Sequence, residues 1–222
     1  MTRIQATALT LMVCGVMNAA EPIQIGSRLE LMIDDHLVAS TRGRIGLQMH
    51  RPVRRNVALV TDNKWEGNAC TYTSVFQDGD RYRMYFGSLH YEMTEGKLIQ
   101  GHPPFTCYAE SRDGIHWTKP NLGLVEFEGS RKNNIVLANG TIPGLVVDAA
   151  HIAVFKDSNP KCPPAEQYKA LIRSRAAKGL YALKSPDGFH FSPLSNQLII
   201  TDLSLIHISE PTRRTPISYA VF

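Results

Sequence analysis

The side chains of this sequence that could do chemistry are carboxylates. Asp34 and Asp35 stand side by side before His36, after an apolar run, and three interpretations fit them: ligands of a structural calcium ion, acids that face a binding site, or residues of a turn. The histidines have no zinc-ligand spacing, the glycines match no phosphate-binding loop, and no Ser-His-Asp arrangement can be assembled. We therefore expect no cofactor and no catalytic metal.

The elements that must position these carboxylates have the pattern of short strands. Apolar and polar residues alternate with a period of two, and no sustained helical repeat appears. Asp-Gly pairs separate the alternating runs and predict tight turns, in which Asp113 and Asp187 bond to the local backbone. The alternating runs are Tyr82–Phe86, Phe105–Glu110 and Tyr168–Arg173. The sequence predicts an all-β fold, with strands over Gln24–Val38 and a long loop over Gly87–Pro104.

The strand pattern also occurs twice. The segment from Val75 to Arg83 has a counterpart from Val154 to Lys169, and Ser111–Trp117 has a counterpart in Ser185–Phe191. Each copy holds about four strands, which is typical of a β-propeller blade. A blade buries its faces only against neighbouring blades, and two are too few to close a ring. We therefore expect only about the first two blades of a propeller here.

The two ends of the chain differ from the part between them. Residues 1–20 have one basic residue, an apolar core and small residues at the end, which predicts a signal peptide and a secreted or periplasmic protein. Back-translation of Leu203–Phe222 resembles the adapter of a sequencing library. We expect that tail to be an artefact, and residues 21–202 to be the N-terminal part of the domain.

Composition limits the partners. The 222 residues carry a formal net charge of +4, and the basic residues are scattered, so the charge pattern that nucleic-acid binding needs is missing. The only long apolar stretch lies in residues 1–20 and is too short to span a bilayer. We predict no nucleic-acid partner and no membrane span, and the oligomeric state stays open.

Three stretches resemble a known family. Arg28–Val38, Trp65–Gly87 and Cys107–Val125 are similar to secreted bacterial proteins of the five-bladed β-propeller glycoside hydrolase superfamily, the arabinanase, invertase and levansucrase-like enzymes. The resemblance implies a poly- or oligosaccharide substrate. It also implies acidic residues on the inner strands of successive blades, which serve as base or nucleophile, as transition-state stabiliser and as general acid.

The resemblance implies roles for particular residues. Glu66, at the entry of an inner strand over Ala69–Phe76, would be the base, with Asp62 as the alternative, and Trp65 would stack on a sugar ring. Asp148 opens the next inner strand, over Ala149–Phe155, in the place of the transition-state stabiliser. Further substrate-facing acids would be Asp34 and Asp35.

The expected general acid would follow Asp202 and is therefore missing. We expect this chain alone to be inactive, and its parent to be a glycoside hydrolase. The alternative is a non-catalytic propeller that binds carbohydrate or protein, and an acidic residue on the third inner strand would distinguish the two.

Overall fold

A computed structural model describes residues 23–27, 30–31 and 33–201. The predicted signal peptide (1–20) and the predicted artefact tail (203–222) lie outside the described residues. The chain divides into two compact units, 1–54 and 55–222, which are described separately.

The described residues of the first unit contain no strand, so the strands expected over Gln24–Val38 are absent from the described part of that range. Asp34 and Asp35 instead lie in a turn. The backbone N–H of His36 donates to Oδ1 of Asp34 at 3.0 Å, and the N–H of Val38 donates to the carbonyl of Asp35 at 3.0 Å. A short side chain that accepts from the backbone two residues later is typical of such turns.

The described part of the second unit, residues 55–201, is all-β, as predicted, and consists of two antiparallel sheets. The first sheet has the order β1-β2-β3, and both β4 and β5 pair with β3. Its strands are β1 (Ala69–Asp78), β2 (Arg81–Thr94), β3 (Lys97–Ser111), β4 (Trp117–Thr118) and β5 (Ile135–Ala138).

The second sheet repeats this plan. Its order is β6-β7-β8, and both β9 and β10 pair with β8. The strands are β6 (Val147–Lys156), β7 (Tyr168–Ser174), β8 (Gly179–Ser185), β9 (Ser192–Pro193) and β10 (Ile200–Thr201), with one 3-10 turn at Pro164–Glu166. The twofold repeat in the sequence is therefore a repeat of strand order and pairing.

The first strands of the two sheets lie side by side and run in the same direction. The hydroxyl of Thr71 donates to the carbonyl of Ala150 at 3.2 Å, and the N–H of Val154 donates to Oγ of Ser74 at 3.1 Å. At Gly87 of β2 the approach is so close that a Cβ would overlap the Ala150 carbonyl. These contacts hold the face of the first sheet against β6.

Alternation along the strands produces two apolar cores. Tyr85 of β2 points between the sheets and packs with Ile152, Ile172 and Leu183 of the second sheet. Its neighbours Met84 and Phe86 point to the opposite face, which the segments around Trp65, Trp117 and Phe127 cover. Full burial of each large apolar side chain contributes about 1.5–3 kcal/mol.

The prediction of a long loop over Gly87–Pro104 is wrong. The segment continues β2 and β3 as a hairpin, and β1 pairs with β2 only as far as Leu89. Glu95 and Gly96 both have positive φ, 51° and 74°, as a two-residue hairpin turn with matching twist requires. Pro103 and Pro104 fall at the register irregularity opposite Ser88–His90, where β3 can tolerate missing N–H donors.

The Asp-Gly turns are where the sequence predicts them, and two of them are copies. Oδ1 of Asp113 accepts from the N–H groups of Ile115 and His116, at 2.8 Å each, and Oδ1 of Asp187 accepts from Phe189 and His190 at 2.8 and 2.9 Å. In each turn Oδ2 lies 2.7 Å from Nδ1 of the histidine. The side chains of the two histidines are 85% and 69% exposed.

The C-terminal ends of β1 and β6 meet at a buried carboxylate. Oδ2 of Asp78 lies 2.6 Å from Nε of Arg83 and accepts from the Tyr168 hydroxyl at 2.6 Å, and Oδ1 accepts from Lys156 Nζ at 2.5 Å. Arg83 also donates to the Asp187 carbonyl at 2.7 Å. The side chain of Asp78 is 8% exposed, so this hub links the sheets through a desolvated charge.

Candidate functional site

A cavity of about 700 Å³ lies at the other end, where β6 begins. The β2–β3 hairpin forms one wall with Leu89, Tyr91, Gln100 and Pro104. Asp148 and His151 of β6 form the floor, and the end of β7 with the loop to β8 forms the opposite wall, comprising residues 173–179. Among the described residues that line it, Asp148 is the only carboxylate.

Asp148 is a buried carboxylate, 9% exposed, that lies beside His151 and Arg173. Oδ2 lies 3.0 Å from Nδ1 of His151 and 3.3 Å from Nη1 of Arg173, and Oδ1 accepts from the N–H of Ala150 at 3.3 Å. The contact between Nδ1 of His151 and Oδ2 is close, but its geometry falls outside that of a well-aligned hydrogen bond. Burial alone would raise the pKa of Asp148, but His151, the Ala150 N–H and Arg173 together lower it.

Irregular backbone in β1 and β6 shapes the floor of the cavity. The register of β6 shifts between Asp148 and Ile152, and the register of β1 shifts between Thr71 and Ser74. Tyr72, inside the second irregularity, has φ 48°, an unusual conformation for a residue with a Cβ, and its ring lies 4.6 Å from that of His151. Bulges of this kind re-aim side chains next to functional sites. No local sequence pattern predicts these bulges.

Asn68 fixes the hairpin wall. Its Nδ2 donates to the carbonyl of Tyr91 at 2.7 Å, and its Oδ1 accepts from the N–H of the same residue at 2.9 Å. The side-chain amide thus substitutes for a strand partner at the point where β1 stops pairing with β2. Sequence reasoning missed Asn68, although it directly precedes the predicted inner strand.

The opposite wall is a short loop with two free cations. Oγ of Ser174 accepts from the N–H groups of Ala176 and Ala177 at 3.2 Å each, which closes the turn between β7 and β8. Arg175 and Lys178 flank the two alanines and are exposed. Within the described part of the chain, no carboxylate pairs with either of them.

Glu66 lies in a different environment. It is 0% exposed, and its Oε2 accepts from Lys119 Nζ at 2.7 Å and from the backbone N–H groups of Asp62 and Asn63 at 3.0 Å each. Oε1 accepts from Asn134 Nδ2 at 3.3 Å. Glu66 therefore ties the segment before β1 to the segments after β4, and it does not line the cavity.

The other predicted site residues near Glu66 belong to the same network. Asp62 is 72% exposed and lies 2.9 Å from Nζ of Lys119, which is the main reason that its pKa is lowered. Burial would lower the pKa of Lys119, but its bonds to Glu66 and Asp62 raise it. Trp65 is half-buried against Phe127, and its Nε1 donates to Oδ1 of Asn134 at 2.6 Å.

The structure thus brings Glu66, Asp62 and Trp65 together and leaves Asp148 apart from them, on the cavity. Asp34 and Asp35 belong to the other unit of the chain. The role of each as a catalytic or substrate-binding residue stays a prediction.

Among residues 23–27, 30–31 and 33–201, no three histidine, cysteine or acidic side chains are grouped as metal ligands would be. The calcium interpretation of Asp34 and Asp35 stays a prediction. The three cysteines within the same ranges, Cys70, Cys107 and Cys162, are free thiols, and no helix there is long and apolar enough to cross a membrane.

No protein-family model matches the chain. Two uncharacterized proteins of Mycobacterium tuberculosis, from its CDC 1551 and H37Rv strains, are each 38% identical to it over 60 residues. The aligned part is 27% of this chain and 19% of each relative. A solved glycosyl hydrolase from Bacteroides ovatus is 17% identical, with a TM-score of 0.34, over 60% of this chain and 32% of that structure. A likeness of that degree does not by itself define a function.

Proposed function

We propose that the chain contributes a saccharide site to an exported glycoside hydrolase-like β-propeller, with its two sheets as successive blades and Asp148 as the reacting-centre carboxylate. One observation carries the proposal: the Asp148 carboxylate lies beside His151 and Arg173 at the start of β6, on the floor of a 700 Å³ cavity. Tyr91, Gln100 and Pro104 beside it offer the mixed aromatic and polar lining that sugars require.

The lowered pKa of Asp148 suits one of the roles that glycoside hydrolysis requires. A permanently ionised carboxylate stabilises the positive charge that develops on the anomeric carbon, whereas a proton donor needs a raised pKa. Asp148 would therefore be the stabiliser that the resemblance implies, and the proton donor would come from a third repeat. Glu66 could act as a base only if Lys119 moved away from Oε2.

Binding of oligosaccharides tests the proposal. We expect at least one neutral or acidic oligosaccharide from a plant and bacterial polysaccharide panel to bind in isothermal titration calorimetry, and Asp148→Asn to weaken that binding by about tenfold or more. Asp80→Asn, which removes an exposed carboxylate far from the cavity lining, is the matched control and should bind as the wild type does. Unchanged binding by Asp148→Asn, or no binding to any saccharide, would contradict the proposal.

A second candidate function rests on the single carboxylate of the cavity. Glycoside hydrolysis needs two, and the described lining supplies only Asp148. A non-catalytic saccharide-binding propeller needs no more than that. Incubation of the bound oligosaccharide with the longest available reading frame distinguishes the two, since only the hydrolase releases shorter products.

A further inference from the structure

The charges around the cavity are not balanced. Asp148 carries one negative charge, which Arg173 offsets at 3.3 Å. Arg175 and Lys178 then remain on the wall opposite the hairpin, exposed and without a carboxylate partner among the described residues. Even with His151 neutral, the lining therefore carries a net charge of about +2 beside an open, partly apolar space, which concentrates anions there.

We propose that the cavity selects an anionic saccharide, whose carboxylate or sulfate group binds Arg175 and Lys178 while the sugar ring lies over Asp148. This inference rests on the proposed function and names its substrate class. The guanidinium of Arg175 can bind a carboxylate or sulfate through two parallel N–H donors, and the ammonium of Lys178 adds a point charge.

The arrangement of the wall favours this occupant over a neutral sugar. The Ser174 hydroxyl accepts from the backbone N–H groups of Ala176 and Ala177 and so fixes the turn. The long side chains of Arg175 and Lys178 lie on either side of these two alanines. Alanines at the centre of the turn leave room for a ligand between the cations. A neutral glycan could accept hydrogen bonds from these cations but would gain no attraction between opposite charges.

Three matched probes test the inference on the full chain. We compare a hexuronate oligosaccharide, its methyl ester and a sulfated neutral oligosaccharide by calorimetry at low ionic strength. We expect the free acid to bind at least about tenfold more tightly than the ester, a difference of about 1.4 kcal/mol, and to lose that advantage in added salt. Preference for the uronate or for the sulfate identifies the source of the anion, and either supports the inference.

Variants locate the preference. Arg175→Ala/Lys178→Ala should bind acid and ester equally, whereas Lys97→Ala/Lys161→Ala, which removes two exposed cations outside the lining, should keep the preference. Circular dichroism checks folding, and Arg175→Gln/Lys178→Gln replaces the first variant if it misfolds. Equal binding of acid and ester by the wild type, with no tighter binding of the sulfated oligosaccharide and with sensitivity to Asp148→Asn, overturns the inference and leaves the proposed function standing. Binding to no probe overturns the inference, whereas the proposed function is overturned only if the whole oligosaccharide panel also fails to bind.

Discussion

At the scale of single residues, Asp113 and Asp187 make the same set of contacts in two equivalent turns. Each carboxylate accepts two backbone N–H groups with one oxygen and lies against a histidine with the other. The bond from His116, followed by the backbone N–H groups, lowers the pKa of Asp113. Burial would raise the pKa of Asp187, but its bonds to the His190 backbone and ring lower it.

These directions predict loss of stability in acid. A carboxyl with a lower pKa in the folded chain stabilises the fold at pH values above its unfolded pKa, and this contribution is lost as the pH falls through the folded pKa. We expect the free energy of unfolding, measured in urea, to decrease below about pH 5. The decrease should be shallower in Asp113→Asn/Asp187→Asn, and identical slopes in variant and wild type would show that the turns are not responsible.

Lys119 is the second residue-scale test. Its side chain is 17% exposed and contacts Glu66, which is fully buried, so Lys119→Met leaves that buried anion without its cationic partner. We expect a loss of about 3–5 kcal/mol in the free energy of unfolding. Lys64→Met is the control, because Lys64 and Glu128 form an exposed pair at 3.8 Å whose removal should change stability by less than about 0.5 kcal/mol. A small effect at Lys119 would mean that Glu66 finds another donor.

At the scale of elements, the hub around Asp78 joins strands of both sheets. The phenol of Tyr168 on β7 donates to a carboxylate from β1, and burial together with that bond raises the pKa of Tyr168 to about 12. We expect Tyr168→Phe to lose about 1.5–3 kcal/mol of unfolding free energy, the range for hydrogen bonds to charged groups.

Tyr181→Phe provides the comparison, since the described residues offer no hydrogen-bond partner to the Tyr181 hydroxyl. Its thermal and urea midpoints should match the wild type. If both variants lose the same amount, the loss at Tyr168 reflects the phenol in general rather than the link between the sheets.

Local pattern predicts the elements that alternate and the turns that contain Asp-Gly, and it predicts little else. Tyr168–Arg173 has one buried face, and that burial is visible as period-two alternation, whereas Met84, Tyr85 and Phe86 are buried on both faces of β2 although their stretch alternates as well. The outer part of the β2–β3 hairpin is exposed on both faces, so its sequence carries no such signal. The bulges at Tyr72 and Asp148 depend on contacts between sheets, which lie far apart in the sequence.

The candidate site follows the same division. The resemblance to the five-bladed propellers predicts Asp148 as the opening residue of an inner strand. His151 and Arg173, which determine its ionisation, come from a bulge and from the next strand, and no spacing rule connects them to Asp148. The network of Glu66 with Lys119 and Asn134 likewise joins residues distant in the chain.

At the scale of the whole molecule, the packing of the two sheets depends on the missing side chain of Gly87. A Cβ there would overlap the backbone of Ala150, which is fixed within β6. We expect Gly87→Ala to lose about 1–3 kcal/mol of unfolding free energy through overpacking. Gly101→Ala, on the same hairpin, should lose less, because its obstacle is the movable ring of His90. Equal losses of unfolding free energy in the two variants would mean that the sheets can move apart at Gly87 without loss of stability.

The hairpin formed by the outer parts of β2 and β3 has a consequence for redesign. Beyond Leu89, β2 and β3 pair only with each other and are joined by the Glu95–Gly96 turn. Tyr91 and Gln100, which line the cavity, are cross-strand partners near the base of this hairpin. Deletion of residues 93, 94, 97 and 98 would shorten the hairpin by two partner pairs and preserve which side chains face which way, because facing repeats every second residue. The length of the hairpin can therefore be reduced in steps of two pairs without changing the side chains that line the cavity.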